Sequence, residues 1–303
     1  MQKTKGTLVI ILAVPPVETL IQLLDSILKS DQRLSILVHL SNQYNRNETL
    51  TEVSNKLNSN RLNFMPKSIP TDWGKITYAL VETLNYAYQN LSFSHIVLLP
   101  FNCLPIRKNI SSFLKENNEI DIFLNPRFKI FRHIIIENEI KVDWNSGKYL
   151  WESRISRLLL RRYFNGKNYW GGNFEGIVIK KAILKHLIME KFLFRIFKNN
   201  YSLMFEEVYF PTILVELSKR YNFKIYNDQL CYVDWEKSKW IFNPLLHKYE
   251  HKVETGNVER ICEVLEQNQS AFFYKWVSTD VNDSNRKALI NFINNKNCID
   301  NGN

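Results

Sequence analysis

A chain of 303 residues, 45% hydrophobic, carries enough apolar material for one large domain or two tightly packed halves. No apolar run is long enough to span a membrane, and the best one, Thr7 to Val14, is stopped by Pro15-Pro16 and Glu18. The net charge of +10 points to an anionic partner, but the basic residues are spread out and no nucleic-acid module signature is present, which leaves a membrane surface or a phosphorylated small molecule.

Thr7 to Val14 follows Lys3 and Lys5, as a signal peptide would. Its apolar core is short and no small-residue cleavage site follows, so it reads as a buried first strand. Val17, Leu20, Ile21, Leu24 and Leu28 form a helical stripe, and Leu34 to Leu40 reads as a second buried strand. A polar loop from Ser41 to Asn47 leads into a helix over Thr49 to Leu57 and a short strand over 62–65. Thr71 to Lys75 is a turn into a helix spanning 76–90, and Ser94 to Pro100 is a third long strand. This order predicts an α/β fold with a mostly parallel sheet flanked by helices, with ligands beyond the strand carboxyl ends, after Val14, Leu40 and Leu99.

Lys108 to Lys115 reads as a short helix and Ile120 to Leu124 as a strand; alternation over 128–134 and 140–144 suggests a hairpin or edge strands. Trp170 to Phe174 is a tight turn into a strand over 176–179, followed by a helix over 180–191. Strands are expected over 223–226 and 230–235, and disorder from Ile299. No repeat or linker divides the chain, so residues 1–298 read as one domain, with halves of about 1–125 and 126–298 and a tail over 299–303.

Glu206 and Glu207 stand where the polar loop 198–202 gives way to an apolar run from Tyr209 to Leu217. Pro211 is tolerated in a first helical turn and not later, so a helix is expected to start close to it. The acids then lie at or just before a helix N-terminus, whose partial positive charge favours ionised carboxylates. Such a carboxylate suits a general base; the plain alternative is a first turn that only complements the helix dipole.

Other chemistry finds little support. The third strand runs into Pro100-Phe101-Asn102-Cys103, with none of the paired acids that hold a divalent cation on a diphosphate, so a leaving diphosphate would need Lys or Arg. His247-Lys248-Tyr249-Glu250-His251 matches the His-x-x-Glu-His pattern of zinc hydrolases, but no strongly amphipathic helix surrounds it and no third ligand is suggested. There is no phosphate-cradling glycine loop and no nucleophile elbow. Cys103, Cys231, Cys262 and Cys298 form no metal or disulfide pattern, which fits a reducing compartment. The densest basic cluster, Arg154, Arg157, Arg161, Arg162 and Lys167, reads as a solvated helix face or as a peripheral contact to anionic lipid.

Several segments, in order, resemble glycosyltransferase family 14, the core-2 and I-branching β-1,6-N-acetylglucosaminyltransferases and their bacterial relatives. Leu8 to Ala13 and Ile36 to His39 resemble its opening strands, and Asp72-Trp73-Gly74-Lys75 its Trp-Gly segment. Ile96 to Ile106 is similar to its Leu-Leu-Ser-Gly-x-Asp-x-Pro-Ile stretch, and Gly171-Gly172-Asn173-Phe174 to its Gly-Ser-x-aromatic turn. Glu206 to Thr212 resembles its Asp-Glu-x-x-x-x-Thr motif, Cys231 to Trp235 its Arg-Tyr-x-Asp-Trp segment, and Phe272 to Trp276 its Phe-Ala-x-Lys-Phe motif.

The resemblance implies a GT-A-like fold and inverting, metal-independent transfer from a nucleotide-sugar to a hydroxyl of a glycan or lipid-linked glycan, with no cofactor. It implies Glu207 as catalytic base and Lys275 as the lysine on the diphosphate, with Lys252 as second cation and Lys248 and Arg260 as its alternatives. His39, Trp73 and Gly74 fall on the donor side, and Trp235, Glu206 and Asn173 on the acceptor side. Two departures concern the donor: Ser41 and Cys103 stand where the family carries acids, although Asp72 offers a replacement. The expected setting is surface polysaccharide or glycolipid synthesis in a bacterial cytoplasm, peripheral at most to the inner membrane face. The rivals are a GT-A enzyme of different donor and linkage, and a non-catalytic carbohydrate-binding scaffold of the same fold.

Overall fold

A computed structural model describes residues 6–71, 76–124, 128–131, 134–137, 140–143, 169–171, 174–189, 205–228, 230–234, 237–243 and 248–295. The described helices are α1 (Val17–Ser30), α2 (Arg46–Leu57), α3 (Thr77–Asn90), α4 (Ile110–Glu116), α5 (Lys181–Met189), α6 (Phe205–Tyr221), α7 (Val258–Gln267) and α8 (Ser284–Asn295). The strands are β1 (Thr7–Ala13), β2 (Leu34–Leu40), β3 (Leu62–Phe64), β4 (His95–Leu99), β5 (Cys103–Pro105), β6 (Ile122–Phe123), β7 (Phe128–Phe131), β8 (Ile134–Glu137), β9 (Ile140–Asp143), β10 (Tyr169–Gly171), β11 (Val178–Lys180), β12 (Ile225–Tyr226), β13 (Cys231–Val233), β14 (Ser238–Asn243), β15 (Lys248–Val253) and β16 (Phe273–Lys275).

Seven strands form the central sheet in the order β12-β6-β11-β4-β1-β2-β3. β1, β2, β3 and β4 run parallel, while β11 is antiparallel to both β4 and β6. The reason lies in β1, β2 and β4, which are apolar on both faces and so must be covered twice. Leu8 and Ile10 of β1 and Ile96 and Leu98 of β4 pack with α3, α5 and α6. Val9, Ile11, Val97 and Leu99 face the opposite layer, built from α1, α7 and α8. The register brings Ile11 beside Leu99 and Ala13 beside Leu40, so three strand ends open on one edge.

A small sheet in the order β13-β16-β5 sits on that edge. Its three-residue strands are joined by long-range pairings, and β5 was not foreseen from the sequence. β7 to β10 make a separate antiparallel sheet in the order β10-β7-β8-β9, where a hairpin or edge strands were expected. Trp170 and Gly171, expected at the start of a turn, belong to strand β10, and Gly172 and Asn173 of that turn lie outside the described residues.

One boundary needs correction. Helix α6 begins at Phe205, so Pro211 lies inside it. Pro211 has no N–H for the Glu207 carbonyl one turn earlier, a defect that costs about 3 kcal/mol in a helix interior. Burial of Phe210, Ile213 and Leu214, at 0–2% exposure, offsets that cost. The two acids are therefore the second and third helical residues, inside the first turn.

Candidate active site

The carboxyl edge of the sheet gathers four chain segments. Val233, Lys275 and Cys103 stand in one row across β13, β16 and β5. Cys103 follows β4 by a short turn, so the row sets Lys275 beside the end of the central strand. The same pairing lays Trp276 next to the segment that leaves β13 toward residue 235.

Lys275 is 7% exposed, and its ammonium contacts the carboxylate of Glu175, itself 2% exposed. It also lies 4.2 Å above the Trp276 ring, a cation–π contact. Trp276 holds φ at +71°, a left-handed conformation that costs a bulky residue about 1–3 kcal/mol. That strain delivers the indole under the ammonium. Glu175 is fixed by Gly176, whose N–H donates to Leu98 and whose carbonyl accepts from Leu230. Gly176 has φ +77°, and a Cβ there would stand 2.3 Å from the Cys231 nitrogen, so only glycine fits. Glu175 Oε2 has no hydrogen-bond partner. An ammonium has three N–H donors, so Lys275 can hold Glu175 and a second anion together.

Cys103 is fully buried and donates its S–H to Pro100 at 2.9 Å. Burial pushes its thiol well above the ordinary range, so it is a neutral core atom and not an acid or nucleophile.

Arg260 is committed to the protein. Its Nε donates to Asp234 at 2.9 Å, its Nη2 to the Tyr232 hydroxyl at 3.2 Å and its Nη1 to Glu263 at 3.0 Å. Tyr274 donates to the same Asp234 oxygen at 2.8 Å. Gly256 is required beside it, since a Cβ would lie 2.1 Å from the Tyr274 hydroxyl. This network locks the end of β13 against β16, immediately before Trp235.

At the end of β2, His39 is fully buried and its Nε2 accepts the Ile69 N–H at 2.9 Å, which leaves the ring proton on Nδ1. Burial, then the Arg46 charge, lowers its pKa to about 4 against a weaker pull from its own carbonyl, so the ring is neutral. Arg46 donates through Nη2 to the Met65 carbonyl. His39 Nδ1 and Arg46 Nη1 are buried donors without partners. Ser41 Oγ accepts from the Gln43 N–H at 3.4 Å and closes its own turn. The two unpartnered buried groups described at the strand end are thus both donors.

Residues 11–265 match the model of the Core-2/I-Branching enzyme family. The chain belongs to that family. Its members are glycosyltransferases, and the mostly parallel central sheet flanked by helices that the sequence led one to expect is the one observed. No curated protein matches the chain. Among solved structures it is similar to the mannosyltransferase PcManGT from Pyrobaculum calidifontis in complex with GDP-Man and Mn2+, at 13% identity and a TM-score of 0.37. That match covers 61% of this chain and 47% of the other, so the chain spans about half the length of that enzyme.

Of the residues the family resemblance singled out, the fold brings Lys275, His39 and the β13 segment before Trp235 to the carboxyl edge. Lys252 lies on β15, paired with Lys239 of β14, and Arg260 serves the Asp234 network. Trp73, Gly74, Asn173 and Trp235 lie outside the described residues, as does the basic segment Arg154 to Lys167. Glu206 and Glu207 are described as backbone in the first turn of α6, a helix that packs against β10. Of the His-x-x-Glu-His segment, Lys248 to His251 lie in strand β15 and not in a helix, and His247 lies outside the described residues. Among the described residues no group of three His, Cys, Asp or Glu converges as metal ligands. No described helix is long and apolar enough to cross a membrane. Glu175 was missed from the sequence; a single acid between Phe174 and Gly176 carries no periodic signal.

Proposed function

We propose that this chain transfers a sugar from a nucleotide-sugar to a hydroxyl of a glycan or glycolipid, with inversion and without a metal. Glu207 takes the proton from the acceptor hydroxyl as its oxygen attacks the anomeric carbon. The bond from that carbon to the diphosphate oxygen breaks on the opposite face, and Lys275, with Lys252 as second cation, stabilises the charge on the departing diphosphate. General-base help contributes about 10²–10⁴-fold, and preorganised cations on the leaving group a similar factor. Trp235 would offer its ring to the acceptor sugar, with Glu206 and Asn173 nearby.

The observation that carries this reading is the row Val233-Lys275-Cys103, which puts a buried lysine at the carboxyl end of β4. Ligands of open α/β sheets bind at that edge. The first turn of α6 supports the base assignment, because backbone N–H groups there favour an ionised carboxylate. A synthesis role at the inner membrane face in bacteria fits the family and the net charge of +10. A thermal-shift screen of UDP-, CMP-, GDP- and dTDP-sugars tests the reading. At least one class raises the melting temperature if it holds, and a flat response across the panel contradicts it.

A further inference from the structure

At the other end of the sheet, where the strands begin, a cleft of about 230 Å³ opens between the end of α1, the segment after β5 and the end of α8. Ser26, Lys29, Ser30, Arg107, Lys108 and Asn294 line it, and among the described residues no carboxylate does. Of the lining cations, Lys29 pairs with Asp25 at 2.6 Å on the surface.

Cations near helix ends often only complement carbonyl groups. Here three of the last-turn carbonyls of α1 are already served by other donors. Leu28 accepts from Arg61 at 2.9 Å, Ile27 from the Ser30 hydroxyl at 2.8 Å, and Ser30 from the Asn109 N–H at 3.0 Å. Arg107 spends Nε on Ala271 at 3.1 Å and Nη2 on Leu265 and Asn268, which closes the end of α7. Among the described residues its Nη1 is left over, and Lys108 has no partner for its ammonium. The guanidinium plane is held rigid by its three carbonyl contacts, so the leftover N–H needs no ordering on binding.

We infer that this cleft binds a phosphate group, through Lys108, Lys29 and the remaining edge of Arg107. The cleft suits a phosphate or diphosphate with a small substituent, whether a soluble phosphorylated metabolite or a phospholipid headgroup. It is separate from the carboxyl edge: α1 ends here and enters β2, whereas the row through Lys275 lies beyond the end of β4. It therefore acts as a second anion site on the family's fold.

Lysine acylation read peptide by peptide resolves the site, using inorganic pyrophosphate as probe on the full chain. Pyrophosphate protects Lys108 and Lys29 several-fold more than the exposed Lys56, and the protection fades as salt rises. Equal labelling of all three overturns the inference. In flotation, vesicles of phosphatidylglycerol recruit the wild type more than the Lys29→Ala/Lys108→Ala variant if a lipid headgroup is the occupant. Pyrophosphate protection with no such difference assigns a soluble ligand instead. Lys29 and Lys108 are outside the proposed reaction centre, so nucleotide-sugar binding persists in the variant; its loss would show that the two sites are one and sink the claim of a second.

Discussion

Lys275 meets Glu175 in the interior, with side chains 9% and 3% exposed, and the two come from opposite ends of a stretch of 100 residues. Removing one partner of such a pair leaves a buried charge and costs about 3–5 kcal/mol. Lys275→Met therefore lowers stability by roughly that amount in urea unfolding, and adding Glu175→Gln restores much of it. Affinity for nucleoside diphosphate falls several-fold in Lys275→Met and is not restored in the double variant. Full recovery of both stability and affinity would reduce Lys275 to a structural lysine.

Excess chelator leaves sugar transfer unchanged. The segment after β4 offers a buried, neutral Cys103 and no acid pair, and Lys275 is at hand for the diphosphate. Loss of activity with EDTA, restored by manganese or magnesium, contradicts the metal-independent mechanism.

The buried histidines set the acid limb of stability. His39 and His95 each have a pKa lowered to about 4, chiefly by burial, from an ordinary value of 6.5. Below about pH 6.5 the unfolded chain binds protons that the folded chain refuses, so stability drops as pH falls from 6.5 to 4 and is full above that window. Melting temperature at pH 5 is lower than at pH 7, and His39→Gln flattens that slope. A melting temperature independent of pH over this range would contradict the neutral, buried rings.

We propose that the donor base docks at the end of β2, where it meets hydrogen-bond donors. His39 Nδ1 and Arg46 Nη1 lack partners, and Ser41 is turned into its own loop. A base edge with adjacent acceptors, as in cytosine or guanine, suits them better than uracil, whose N3–H would face N–H groups. UDP-N-acetylglucosamine is accordingly not the preferred donor, and Arg46→Met weakens the preferred nucleotide more than it weakens UDP. Productive use of UDP-N-acetylglucosamine above all other donors, measured over a full panel, refutes this.

How much the sequence revealed depended on range. The runs in β1, β2 and β4 announced a doubly covered parallel sheet, because strands that are apolar on both faces have few other homes. β5 and β16 were invisible: three residues each, they exist only because Lys275 pairs with Cys103 far away in the chain. The start of α6 was misplaced because the usual rule against interior proline was outweighed by the burial of Phe210 and Leu214. Lys275 was found through its motif, whereas Glu175 became visible only when Gly176 was seen to fold it inward. Arg260 looked available as a cation until Asp234, Tyr232 and Glu263 proved to occupy it.

The most direct measurement compares Glu207→Gln with Glu206→Gln in a transfer assay, using the donor that the nucleotide-sugar panel selects. Both acids share the first turn of α6, so helix-dipole effects are common to the two variants. The account predicts that Glu207→Gln binds donor normally and loses at least about 10²-fold in turnover, with Glu206→Gln close to wild type. An active Glu207→Gln enzyme, or a dead Glu206→Gln beside it, would contradict the assignment of the base.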